Sequence, residues 1–170
     1  EELYFKARDM LCHPDTPDSQ LSSIKITALE TLRRILKFLI KDTSRLEQAL
    51  DHCYLMARIY KAFEQNSSVH KTLAAMTVIQ VHMRDLVAAE QTFLDSLGNS
   101  GYAHSKECEI AENFLNAAKS MDAVAMTSIQ KSEEIQYLDR DVQQLASQFK
   151  LGSGRTSSAT AKVQSTVSVS

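Results

Sequence analysis

Two groupings in the sequence combine residue types able to hold a metal or to pair a nucleophile with a base: His52-Cys53 and His104-x3-Cys108. Adjacent side chains leave a helix in different directions, and a structural zinc site needs four convergent ligands, so neither grouping makes a metal centre. Cys53 also falls on an apolar stripe, where a thiol behaves as a small buried hydrophobe. Neither histidine stands beside a serine and an aspartate in a pattern that spells a catalytic triad, and no glycine-rich phosphate loop is present. No catalytic, cofactor-binding or metal-binding residue is assigned, and the chain is expected not to be an enzyme.

The charge feature with a direction is Arg33, Lys37 and Lys41, spaced by four, with Arg34 and Arg45 beside them. On a helix these make one basic ridge. The ordinary role of such a ridge is a solvated face, because surface charges cost little to keep. As a binding surface it would take an acidic partner, with an affinity that falls as salt is added. The net charge of −2 provides no global attraction to nucleic acid or to an anionic membrane surface, so charge-driven binding must be local.

These residues are positioned by helices. Gly and Pro total only six (4 and 2), so long uninterrupted helices are expected. Glu1 to Leu11 reads as a helix already in progress, and with Glu1 in first place the chain is expected to be the C-terminal part of something longer. A turn follows at Cys12–Asp18, where Thr16, Pro17 and Asp18 suit a cap, a first helical position and an acid at the positive helix end. Leu21, Ile24, Ala28, Leu32, Ile35 and Leu39 then predict an amphipathic helix to about Lys41. Ser44 to Glu47 reads as a capping box, opening a helix with the stripe Leu46, Leu50, Cys53, Ala57 and Tyr60. Asn66-Ser67-Ser68 reads as a break, followed by Val69, Leu73, Met76 and Ile79 to about Met83. Asp85 caps a helix carrying Leu86, Ala89, Phe93 and Leu97, closed by Gly98 and Gly101. Ser105 caps a helix with Glu107 in its first turn and Ile110, Phe114 and Ala117 inward. Asp122 restarts a short helix to Ile129, and Ile135, Leu138, Val142, Leu145 and Phe149 continue at helical spacing. From Gly152 the composition turns to Gly, Ser, Thr and Ala, so 152–170 is expected to be a disordered tail behind a helical domain at 1–151.

Short turns between helices require antiparallel neighbours, and an up-down array follows. The adjacent Ala88 and Ala89 fit a helix that packs closely on two neighbours at once, although alanine is also the best helix former. Three widely spaced cysteines, Cys12, Cys53 and Cys108, point to a reducing cytosol. The longest apolar stretch, Leu73 to Val81, is interrupted by Thr77 and Gln80 and is too short to cross a bilayer.

The arrangement resembles a tetratricopeptide-type array with degenerate repeats, RDLVAAEQTF at 84–93 being similar to the start of a second repeat helix. The expectation is an all-α, tetratricopeptide-like α-solenoid of antiparallel helix pairs ending in a C-terminal helical bundle. Over 72–151 the resemblance sharpens. Asp85-Leu86-Val87-Ala88-Ala89-Glu90, Ser105-Lys106-Glu107-Cys108, Phe114-Leu115 and Tyr137-Leu138-Asp139 stand in an order that resembles the C-terminal half of the soluble NSF attachment proteins, the gamma form in the first motif. That resemblance implies a non-enzymatic cytoplasmic adaptor, peripheral on membranes through its partners. It would lie along a bundle of SNARE proteins and dock the ATPase NSF at its C-terminal end, with Glu107 and Asp139 facing NSF. Arg33, Arg34, Lys37 and Lys41 become candidates for the SNARE bundle. Asn116-Ala117-Ala118-Lys119 departs from the family, whose helix turns acidic there. A general helical-repeat scaffold of another trafficking complex is the competing reading.

Overall fold

The computed structural model describes residues 18–152, with 18–26 and 28 as backbone only. The opening helix, the turn at 12–17 with its Thr16 cap, the tail beyond Gly152 and the side chains of Leu21, Ile24 and Ala28 therefore lie outside the described residues. Within them are seven α-helices: α1 Asp18–Lys41, α2 Leu46–Ala62, α3 Asn66–His82, α4 Leu86–Ser96, α5 Lys106–Lys119, α6 Ala123–Lys131 and α7 Arg140–Gln148. Short 3-10 turns stand at Thr43–Arg45, Tyr102–His104 and Glu133–Tyr137. No strand occurs among the described residues.

Successive helices pack on one another, as short connections require. Two further contacts shape the molecule. Helix α3 is covered by α2, α4, α5 and α7 together, and α7 returns to lie against α1 as well. The residues 72–81 of α3 are buried without a gap, so the four-position stripe expected there is too narrow. The polar members of this run are accommodated locally. Thr72 and Thr77 donate their hydroxyls to the carbonyls of Ser68 and Leu73, one turn back. Close approach comes from Ala74 and Ala75 of α3 and from Ala111, Ala117 and Ala118 of α5, all within the core. Of the alanine pair in α4, Ala89 is fully buried and Ala88 is half-exposed. The double alanine thus seats one neighbour-facing residue, not two.

One connection recurs three times. After α2, α3 and α5 the chain passes through a non-glycine residue in the left-handed region: Glu64 (φ 54°), Arg84 (φ 68°) and Met121 (φ 55°). Each carries the hydrogen-bond pair of a Schellman ending: Gln65 N–H to the Tyr60 carbonyl, Asp85 N–H to Gln80, and Asp122 N–H to Ala117, each with the shorter bond inside it. The residue that closes the ending is also the N-cap of the next helix. Two helices are thereby joined across three residues, which makes the neighbours turn back sharply. Asp85, Ser105 and Asp122 cap as expected, accepting from the amides of Ala88, Cys108, and both Val124 and Ala125.

Several local expectations are corrected. Ser44 does not form a capping box: Asp42 accepts from the Ser44 amide and hydroxyl and opens a 3-10 turn, and α2 begins at Leu46. The break before α3 falls at Phe63–Gln65, and Asn66-Ser67-Ser68 is already its first turn. Gly101 (φ 74°), not Gly98, uses the left-handed region, and it opens the Tyr102–His104 turn instead of ending α4. Ile135 and Leu138 are not on the last helix; they belong to a 3-10 turn and an extended link, held by Gln143 Nε2 donating to the Leu138 carbonyl at 2.6 Å. Finally, α1 buries Leu29, Leu32, Leu36, Leu39 and Ile40 while Ile35 is only partly covered. Its inner face is rotated toward Leu36 because α7 covers that side too.

Phe149 anchors the return of α7. Its ring is tilted against Phe114 (5.5 Å) and His82 (5.9 Å), and the Arg84 guanidinium stands 4.2 Å from its centroid. Gln130 Nε2 donates to the carbonyls of Ala146 and Phe149, and Arg84 donates to that of Lys150.

Candidate functional site

The basic residues of α1 emerge on its outer side because the apolar positions turn inward. Arg33, Arg34, Lys37 and Lys41 are all exposed. Between them stands Phe38, 64% exposed, with the Arg45 guanidinium 5.3 Å from its ring centroid. Arg45 is fixed in turn by donating Nε to Gln48 Oε1 at 2.9 Å. An uncovered aromatic on a helix that also exposes four cations offers both apolar area and charge to a partner. Sequence reasoning missed Phe38, although its place two residues from Leu36 on the helical wheel already puts it outside.

Arg33 is held more firmly than the rest of the ridge. Its Nε donates to the Tyr60 hydroxyl at 3.0 Å, and its guanidinium carbon lies 5.7 Å from the Tyr60 ring centroid. Burial pushes the Tyr60 hydroxyl's pKa upward, and neighbouring Arg33 pulls against it.

Two clefts meet at Arg33 and Asp139. The first, of about 250 Å³, lies between α1 and the start of α7, with Arg34 and Lys37 facing Arg140 and Asp141 over Leu36, Ile40 and Val142. The second, of about 330 Å³, is lined by Tyr60 of α2 and by Ser67, Ser68 and Lys71 of α3. Lys41 lines neither. The expected SNARE-facing and NSF-facing residues are thus brought together in part, since Asp139 sits beside the α1 ridge. It is the N-cap residue of α7 yet makes no side-chain cap bond; its Oδ1 is instead 3.9 Å from Lys71 Nζ.

Glu107 is not with them. It lies in the first turn of α5 and is 8% exposed, so it presents little surface to a partner. Its companion in the turn, Glu109, is the exposed one and pairs with Lys106 at 2.8 Å. The helix repeat explains this: Glu107 falls one turn before Ile110 and Ala111, both buried.

Neither His–Cys grouping brings its two side chains into one site. His52 is buried and donates Nε2 to the Leu32 carbonyl at 2.8 Å, tying α2 to α1. Cys53 is fully buried, and burial pushes its thiol far up, with Asp139 adding to the effect, so it carries no thiolate character. His104 is exposed while Cys108 is buried. Among the described residues no three His, Cys, Asp or Glu side chains cluster so as to hold a metal ion.

A third cleft, of about 220 Å³, runs between α2 and α4 over Leu73 and Met76 of α3, with Arg58 and Lys61 on one wall and Asp95 and Asn99 on the other. Tyr54 and Thr92 bridge it at 3.3 Å, hydroxyl to hydroxyl.

No protein-family model matches the chain. A gamma-soluble NSF attachment protein of Dictyostelium discoideum is 24% identical to it over 117 residues, which is 69% of this chain and 36% of that protein. The chain spans about a third of the length of that curated relative.

Proposed function

We propose that the chain belongs to an adaptor that grips a SNARE-type helical bundle with the outer face of α1 and recruits the ATPase NSF, contributing no catalysis itself. One observation carries this reading: Arg33, Arg34, Lys37 and Lys41 are all exposed along α1, on the helix that also leaves Phe38 uncovered. Cations and an aromatic anchor on one helix suit an acidic, rod-shaped partner, and a stack of helices is stiff enough to present them along a line. Similarity to a protein named for its attachment to NSF supports the choice of partner. Of the two carboxylates implied for NSF docking, Asp139 is the one with an accessible side chain, 49% exposed. In this reading the protein works on the cytosolic face of membranes, held there by its partners. No helix of the described residues is long and apolar enough to cross one.

The test is capture of assembled SNARE bundle and of NSF by the protein in the full length its gene encodes. Arg34→Glu with Lys37→Glu is expected to lower bundle capture about tenfold at low salt and by less at high salt, because screening already removes part of the attraction. Absence of capture by the unaltered protein, of bundle and NSF alike, would refute the adaptor. Retention of unrelated partners would then favour a general helical-repeat scaffold, a reading that the α2–α4 cleft supports.

A further inference from the structure

The cleft of about 330 Å³ gathers Arg33, Tyr60, Ser67, Ser68, Lys71 and Asp139 from four elements. Tyr60 uses one of the five N–H donors of Arg33 and sets the plane of the guanidinium. Among the described residues no carboxylate stands within ion-pair distance of Arg33. Lys71 stands one turn along α3 from Ser67 and Ser68. The cleft therefore holds two cations and two aliphatic hydroxyls on fixed helices.

Asp139 shows what such a cleft attracts. An aspartate at an N-cap ordinarily accepts from the amides of its own helix, which stabilises the helix end. Asp139 leaves that position unused and stands toward Lys71 instead. The contact is loose: 3.9 Å, with both side chains over a third exposed, against about 2.8 Å for a charge-assisted hydrogen bond. Asp139 is thus an internal anion held weakly beside Lys71.

We propose that this cleft binds the phosphate monoester of a phosphorylated serine or threonine on a partner protein. Arg33 and Lys71 pair with the phosphate oxygens, the hydroxyls of Ser67 and Ser68 donate to them, and Asp139 turns back to cap α7. A phosphoryl group carries close to two negative charges and three terminal oxygens, so it neutralises both cations and engages all the donors. A partner carboxylate offers only what Asp139 already supplies from within the chain. The internal competitor thus makes the cleft selective for the dianion. This site shares Arg33 with the proposed SNARE-facing ridge and Asp139 with the proposed NSF contact, but Ser67, Ser68 and Lys71 belong to it alone, and a titration with small probes reads it without either partner.

The experiment is amide-resolved NMR of the ¹⁵N-labelled chain titrated with N-acetyl-phosphoserine amide, inorganic phosphate or N-acetyl-glutamate amide. The phosphoserine probe is expected to give saturable shifts at Ser67, Ser68, Lys71 and Asp139, with a dissociation constant of about 1–10 mM for so small a ligand. The glutamate probe is expected to give none over that range. Arg33→Gln and Lys71→Gln should each abolish saturation, while Asp139→Asn should tighten binding about three- to tenfold by removing the competitor. That gain cannot come from misfolding. Shifts equal for glutamate and phosphoserine, weaker binding in Asp139→Asn, or no saturation in the unaltered chain would overturn the proposal. Inorganic phosphate binding more tightly than phosphoserine would reassign the site to free phosphate. Retention on phosphoinositide vesicles without a phosphoserine response would reassign it to a membrane.

Discussion

Replacing Glu64 with glycine is expected to stabilise the protein, although helices generally lose stability to glycine. Glu64 follows α2 with φ 54°, in the region where an L-residue's Cβ crowds the following carbonyl. Its side chain is exposed, so little packing is lost with it. Relief of the left-handed conformation returns about 1–2 kcal/mol. The greater freedom of glycine in the unfolded chain takes back roughly 0.5–1 kcal/mol. The net gain is about 0–1.5 kcal/mol, centred near 0.75 kcal/mol, or a rise in Tm of about 2–3 °C at that centre for a chain of this size. The control is the same exchange at Glu112, an exposed position inside α5, where glycine is expected to cost about 1 kcal/mol. Glu64→Val should also destabilise, because a branched Cβ tolerates the left-handed region least. Urea titration of the three variants decides the matter. If Glu64→Gly loses as much as Glu112→Gly, the Schellman ending after α2 is wrong, and with it the sharp reversal that brings Ser67 and Lys71 opposite Arg33.

Phe149→Ala should cost about 3–5 kcal/mol by equilibrium unfolding, since the ring is 4% exposed and packs on Phe114, His82 and Arg84; a loss below about 1 kcal/mol would show that α7 is not anchored there. Tyr102→Phe should be neutral or stabilising by up to about 1 kcal/mol, because the buried Tyr102 hydroxyl has no hydrogen-bond partner among the described residues. A clear loss on unfolding would reveal a partner. Burial lowers the pKa of both His52 and His82 from the ordinary 6.5, so the unfolded chain binds more protons below that value. Stability is therefore complete above about pH 7.5 and declines as pH falls through 6.5 toward the folded-state values. The urea midpoint measured across that window should fall with acid, and the fall should flatten when both histidines are replaced by glutamine; an unchanged slope in the double variant would assign it to other groups.

Much of the helical layout was legible beforehand. Apolar spacings of three and four located the helices, and Asp85, Ser105 and Asp122 announced their own helix starts, because capping joins residues two or three apart in sequence. The errors lay where local signals competed or were absent. Asp42 outcompeted Ser44 for the start of α2. The endings at Glu64, Arg84 and Met121 carry no glycine to mark them. Glu107 looked like a surface acid in a first helical turn until its neighbours covered it.

By itself the sequence determined that the described part is all helix, where most helices start, and that a basic ridge runs along α1, all consequences of contacts within about one helical turn. Only tertiary structure decided that α3 is buried on every side over 72–81, that Phe38 stays uncovered, and that Asp139 meets Arg33 and Lys71 in one cleft. Those outcomes depend on which faces other helices cover. That choice is made by packing between residues tens of positions apart, on which periodicity and capping have no bearing.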